Sequence, residues 1–399
     1  MTESTLPTGE WFDGMAAWSR GQRRWLGALG LLFVALTATA PLGWLLLRPV
    51  KTQSSVPPPE WNWATVENGA AMRQLERHVK ESSWLTFQVR GVFNETLLEL
   101  GVLDSDQVVI GNDGWMYYAP TMRWQPELLE RTRDRRREVL RAALDLVRLG
   151  GAELLLVPVP DTVTIYPEFV PPGRLDAGRT QLYDVILADA AAVGVPCVDV
   201  RAAMRARRAA HPDELLYYRR DTHWGLAGQQ TAAAAVRDHI HASGWIDRIR
   251  PEPDLIVLGA MPQTWVPGLV SMLGLRAESE FDEAGWSPTV RRLVESAPWT
   301  PVHLRGPGGA HRHLPLEFAD ATVALCGTSY SETFGYQLCA ALGTVVDRRC
   351  VVPGGGSFAG IRKLIAEVVN RRFLPRIVVW EFVERDYQID WPVTTSLVP

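Results

Sequence analysis

Residues 321–331, ATVALCGTSYS, decide the fold. ATVAL is an apolar run of strand type, and ETFGYQLCAAL, which follows at residues 332–342, carries apolar side chains at helical spacing. Ser329 therefore stands at a hinge between a strand and a helix. Gly327 can take the tight backbone such a turn needs, and the helix start would offer its positive end and free N–H groups beside the Ser329 hydroxyl. This is a nucleophile elbow in physical terms, although the flanking glycines of GxSxG are absent. Serine is equally a common helix N-cap, so two readings of Ser329 stand at this point.

Working outward, the chain alternates helical and apolar segments. A helix is expected from residue 126 to about 149, then the run AELLLVPVP, a helix over 180–193, the run VPCVDV and another helix. The rhythm returns after residue 320 with ATVALC, a helix, TVVD, the helix SFAGIRKLIAEVVN and the run PRIVVWEFV. Such alternation predicts βαβ units and a mostly parallel sheet in an α/β fold. Residues 246–319, rich in Pro, Gly and Trp with weak periodicity, read as an insertion that could shape a substrate groove. Ahead of the sheet, residues 66–101 have amphipathic helical spacing and are expected to pack onto the domain, and QVVIGNDGWMYY at 107–118 reads as a hairpin around Asn112-Asp113-Gly114.

Composition narrows the function. Of 399 residues, 47% are hydrophobic and 22% charged, which is globular, and a net charge of −4 supplies no basic field for a nucleic-acid partner. The four cysteines form no CxxC pair and no Cys/His spacing suited to zinc; Cys326 and Cys339 fall in apolar segments, as buried thiols do. No metal and no cofactor are expected. His239 and His241 lie two apart on a helix and diverge, while His311 and His313 sit in the polar stretch GPGGAHRHLP and read as loop histidines.

The N-terminus reads as a membrane anchor. Residues 25–47, WLGALGLLFVALTATAPLGWLLL, are uncharged and long enough as a helix, at about 1.5 Å per residue, to cross a hydrocarbon core of roughly 30 Å. Residues 1–24 are then a cytoplasmic tail, 48–64 a Pro-rich linker, and 65–399 a domain held outside the inner membrane, periplasmic or extracellular. A cleaved signal peptide is the competing reading, since Ala38-Thr39-Ala40 resembles a cleavage site.

A serine hydroxyl needs a base to take its proton. YYRRDTHWGLAG, residues 217–228, offers one: Asp221 and His223 are two apart just before a helical run, so the carboxylate can orient the imidazole. The bland alternative makes Asp221 a turn residue and His223 a partner for a carbonyl.

Taken in order, GNDGWMYY (111–118), DTHW (221–224), GTSYS (327–331) and VVWEFVER (378–385) resemble the SGNH-hydrolase-like domain of the alginate O-acetyltransferase family, AlgJ/AlgX type, over roughly residues 65–390. The resemblance implies a three-layer α/β/α fold with a Ser-His-Asp triad matching Ser329, His223 and Asp221. It further implies O-acetylation of an exported polysaccharide and a partner, a membrane-bound O-acyltransferase, that delivers the acetyl donor. The order Asp, His, Ser reverses that of ordinary SGNH esterases, but triads are defined by geometry. PGLVSMLGL, residues 267–275, lacks the acidic residue the family leads one to expect there.

The expected mechanism is two-step acyl transfer through Ser329, with its own N–H at the oxyanion and a sugar hydroxyl as second nucleophile. Thr328, Tyr330 and Arg385 are the remaining candidates for oxyanion or substrate contacts; packing is the alternative for Tyr330, and a plain surface position for Arg385. Two other functions stay open. One is a polysaccharide O-acetyl esterase with the same residues, the other a non-catalytic polysaccharide-binding subunit whose Trp265, Trp286 and Trp299 stack on sugars.

Overall fold

Four stretches become one parallel sheet: β1 (Glu153–Val159), β2 (Val323–Gly327), β3 (Val346–Val351) and β4 (Ile377–Val383), in the spatial order β3-β2-β4-β1. This is a computed structural model, and it describes residues 70–74, 84–103, 105–305, 310–389 and 391–392. The expected tail, membrane span and linker, residues 1–64, lie outside them. No described helix is long and apolar enough to cross a membrane.

β1, β2 and β4 are largely apolar because both faces are covered, whereas β3, at the edge of the sheet, carries Asp347, Arg348 and Arg349. Alternate residues of a strand point to opposite faces, and here they divide between two cores. Leu155, Val157, Leu325, Val379 and Val383 enter one core with Met204, Val236, Ile240, Phe334 and Leu338. Leu154, Leu156, Cys326, Val378, Trp380 and Phe382 enter the other with Val139, Leu144, Ile186, Ile361 and Ile365. The helices carrying these side chains are α1 (Pro126–Leu149), α2 (Leu182–Ala192), α3 (Val200–Ala210), α4 (Leu226–Ala242), α5 (Tyr330–Leu342) and α6 (Gly356–Val369). The result is a three-layer α/β/α domain, with α3, α4 and α5 on one face and α1, α2 and α6 on the other. Truncating a side chain such as Leu325 to alanine would remove stability of about 2–5 kcal/mol.

Register brings three strand ends together. Central β4 pairs with β1 from Ile377↔Glu153 to Val383↔Val159, and with β2 from Ile377↔Val323 to Trp380↔Cys326. The residues following β1, β2 and β4, namely Asp161, Ser329 and Arg385, consequently share the carboxyl edge, where open parallel sheets place their ligands.

The helices expected from residue 126 onward and the hairpin are present, the latter as Val108–Ile110 paired with Met116–Tyr118 and turning through Asp113 and Gly114 at positive φ; of the helical stretch expected over 66–101, residues 66–69 and 75–83 lie outside the described residues. Two expectations change. VPCVDV makes only a bridge between Cys197 and Leu156, because Asp199 already caps α3 by accepting from the Ala202 N–H. The insertion is ordered into a three-stranded sheet and a separate hairpin, Met261–Trp265 with Glu295–Trp299; His311–His313 is a strand of that sheet, paired with Val302–Arg305, and not loop. All four cysteines are free thiols.

The chain divides into two compact units, Met1–Leu97 and Leu98–Pro399. The described residues of the first are helical, including most of the helix Trp84–Glu99.

Candidate active site

At the end of β2 the chain has no room for a side chain. A methyl group on Gly327 would overlap the Glu381 carboxylate and the Ser331 hydroxyl, so the turn demands glycine. Ser329 then occupies the N-cap position of α5, yet its side chain caps nothing. Its Oγ lies 2.9 Å from Nε2 of His223. The hydroxyl is committed to the imidazole instead of the helix.

His223 sits on a loop held at both ends. Tyr217 and Trp224 pair across its base, and the Trp224 indole donates to the Tyr330 carbonyl at 3.1 Å. Asp221 Oδ1 lies 2.7 Å from His223 Nδ1 and also accepts the His223 backbone N–H at 3.0 Å. Its Oδ2 accepts the N–H of Gly268, in the insertion, at 2.7 Å. Burial alone would raise the Asp221 carboxyl. The imidazole and the two N–H groups outweigh it and hold the pKa down at about 2. A carboxylate facing Nδ1 places the imidazole proton there, leaving Nε2 as an acceptor aimed at Ser329. Such a chain can draw the proton from the serine and return it to a leaving group.

Around the turn nearly every N–H is already engaged. That of Thr328 donates to Glu381, that of Tyr330 to Thr328 Oγ1, that of Ser331 to the Thr328 carbonyl and that of Glu332 to the Ser329 carbonyl. The N–H of Ser329 has no acceptor among the described residues.

The other candidates are placed as follows. Thr328, expected at the oxyanion or substrate, gives both its N–H (2.7 Å) and its hydroxyl (2.9 Å) to Glu381, on the buried side. Tyr330 is buried with its ring centroid 4.6 Å from that of His223. Its hydroxyl donates to the Thr222 carbonyl and accepts from Arg385 at 3.1 Å, and burial pushes the phenol up to about 12. Arg385 is partly exposed and also donates to Asp161 at 3.0 Å. Tyr330 thus supports the histidine loop, while Arg385 is the cation at the rim.

Three features escaped the sequence reading. Glu381 is fully buried beneath the turn; its Oε2 accepts from Thr328 twice and from the Ser331 hydroxyl at 3.0 Å, whereas Oε1 has no partner. Burial raises this carboxyl to about 7 against those three donors. A lone glutamate inside IVVWEFV was the signal that could have found it. Behind Arg385, Arg179 bridges Asp161 (2.6 Å) and Glu384 (2.7 Å), fastening the exits of β1 and β4 together. The Gly268 contact carried no sequence signal at all. Among the described residues no group of three His, Cys, Asp or Glu is set to hold a metal ion.

The family profile described as "SGNH hydrolase-like domain, acetyltransferase AlgX" matches residues 108–384, well over half the chain, and the match includes Asp221, His223, Ser329 and Glu381 and stops one residue short of Arg385. The chain belongs to this family. Among curated relatives, "Probable alginate O-acetylase AlgJ" of Pseudomonas aeruginosa is 27% identical over 283 residues, 70% of each protein. The protein of that name from Pseudomonas syringae pv. tomato is 26% identical over 285 residues, 70% of this chain and 68% of the relative. Among solved structures, the O-acetyltransferase domain of Pseudomonas putida AlgJ superposes with a TM-score of 0.56 at 22% identity, covering 71% of this chain and 92% of that one. At that identity the superposition speaks for a shared fold.

Proposed function

We propose that this protein is an O-acetyltransferase that acetylates hydroxyls of an exported polysaccharide through an acyl-enzyme on Ser329. The observation that carries the reading is the hydrogen-bonded chain Ser329–His223–Asp221, with links of 2.9 and 2.7 Å, at the carboxyl edge of the sheet. Membership of an acetyltransferase family and the names of the relatives, alginate O-acetylases, support transfer to a sugar over simple hydrolysis.

In the first half-reaction His223 Nε2 takes the Ser329 proton as Oγ attacks the carbonyl carbon of an acetyl ester. The Ser329 N–H, the donor left open in the turn, receives the developing oxyanion. Collapse breaks the bond to the donor's oxygen, which leaves with the proton held by His223. In the second half-reaction His223 deprotonates an acceptor hydroxyl, which attacks the acetyl-serine; Ser329 recovers its proton as the sugar ester departs. Asp221 fixes the imidazole tautomer throughout and stabilises the imidazolium. The chemistry asks nothing of a metal or cofactor.

The placement read from the sequence completes the proposal: residues 25–47 anchor the chain in the inner membrane, and the domain faces the periplasm or exterior. There it receives acetyl groups from a membrane-bound O-acyltransferase. The test supplies full-length protein in mild detergent with a chromogenic acetyl ester and oligosaccharides, and follows acetylated sugar by mass spectrometry. Acetylated sugar formed by the wild type and not by Ser329→Ala is the expected result. Free acetate alone would make the protein an esterase, and equal traces from both proteins would leave a binding subunit.

A further inference from the structure

Residues three and four apart on a helix share a face, so Ser329, Glu332, Thr333 and Tyr336 form one stripe along the start of α5. Ser331, Phe334, Gly335 and Leu338 are buried, which turns that stripe outward. Beyond Ser329 the stripe is the floor of a groove of about 780 Å³. Met261 and Trp299, at the far end of the inserted hairpin, form one wall, and Val351 and Pro353, where β3 exits, line the other.

Both walls are fastened to the reacting groups. The Val352 N–H donates to the Gly327 carbonyl at 2.9 Å, two residues from Ser329. At the hairpin's other end, Glu295 accepts the Arg220 N–H at 3.1 Å and Trp265 meets Tyr218 edge to face at 4.7 Å, both beside the Asp221–His223 loop. From Ser329 to Tyr336 the helix advances roughly 10 Å, so a ligand lying in the groove reaches the serine along one helix face.

The lining says what that ligand is. Trp299 stands edge to face with Tyr336 at 6.2 Å and 90°, and neither ring is fully buried, which offers aromatic surface to sugar rings. Trp286, by contrast, is a core residue. Charges in the groove nearly balance: three cations and two carboxylates line it, and the buried Asp347 backs one of the cations. Arg349 is paired with Asp347, buried behind the lining, at 2.8 Å, Arg348 lies over the Tyr336 ring and donates to backbone carbonyls, and Lys363 is the third cation; Glu317 and Glu332 are the lining carboxylates. A polymer with a carboxylate on every sugar, such as the alginate in the relatives' names, calls for a larger excess of free cations than this lining supplies, since Arg349 is already paired and Arg348 is tied to the Tyr336 ring and backbone carbonyls.

We infer that this groove is the acceptor site and that it takes a chain of neutral, hydroxyl-bearing sugars, with Trp299 and Tyr336 as its stacking platform. The inference rests on the acyltransferase reading for its purpose, but its test is independent of turnover. Calorimetry on the full-length protein compares neutral hexasaccharides of gluco, manno and galacto configuration with a hexauronate. At least one neutral sugar should bind more tightly than the hexauronate. Trp299→Ala should weaken that binding about tenfold, and Trp299→Phe should restore most of it. The double exchange Glu317→Lys with Glu332→Lys should swing the preference toward the hexauronate. Tighter binding of the hexauronate by the wild type, indifference to Trp299→Ala, or no binding by any of the sugars would overturn the inference. Because nothing here depends on an acyl-enzyme, its failure is distinguishable from failure of the proposed reaction.

Discussion

Gly268, inside the insertion, donates its N–H to Oδ2 of Asp221 at 2.7 Å while Oδ1 faces the His223 imidazole at the same distance. Both oxygens of the carboxylate are therefore engaged, and the insertion takes part in holding the Asp221–His223 pair. Asp221→Asn keeps the shape but offers an amide that cannot serve both donors, and the imidazole loses its tautomer. Ester turnover should fall roughly 10⁴-fold while the protein remains folded, measured as kcat beside a thermal melt.

The same carboxylate sets an acid limit. Its pKa is lowered from the ordinary 3.8 to about 2, so its contribution is present above about 4 and disappears as pH falls toward 2. The loss amounts to about 2 kcal/mol. Unfolding curves at pH 6 and pH 3 should show about half of that loss, roughly 1 kcal/mol, in the wild type and not in Asp221→Asn.

Glu381 titrates in the opposite sense. Its carboxyl is raised from 4.5 to about 7, so this residue favours the fold below about 4.5 and that advantage fades as pH rises through 7. Glu381→Gln keeps an acceptor toward Thr328 and Ser331 and cannot ionise. Its stability relative to wild type should improve between pH 5 and pH 8 by up to about 3 kcal/mol in urea unfolding. Glu381→Ala strands three buried donors and should destabilise at both pH values.

Much of this was legible in the sequence because period and punctuation carried it. The apolar runs around residues 153–159, 323–327 and 377–383 announced strands buried on both faces, and the apolar spacing between them announced the covering helices. Asp221 and His223 were readable because they are two residues apart, and Ser329 because a strand–glycine–helix hinge precedes it. What escaped depends on register. Thr328 looked like an oxyanion candidate until β4 placed Glu381 beneath it, and no local pattern tells that residues 268 and 221 will meet. The order within 246–319 was hidden because its strands are short, partly exposed and interrupted by Pro and Gly, which blurs any period.

Tyr330 gives a subtler test of how the histidine loop is held. Tyr330→Phe removes the hydroxyl that links the Thr222 carbonyl to Arg385, next to His223. A stability loss of about 1–2 kcal/mol and a fall in kcat of about tenfold are expected, with the pH profile of kcat otherwise unchanged. Urea unfolding and steady-state kinetics on the same preparation check both.

The most direct measurement is the mass of the protein itself, quenched in acid during reaction with an acetyl ester in the absence of sugar, followed by peptide mapping. The account predicts a single added acetyl group on Ser329, removed when an acceptor oligosaccharide is supplied and never formed by His223→Ala. Turnover of the ester with Ser329 unmodified, or undiminished in Ser329→Ala, would contradict it.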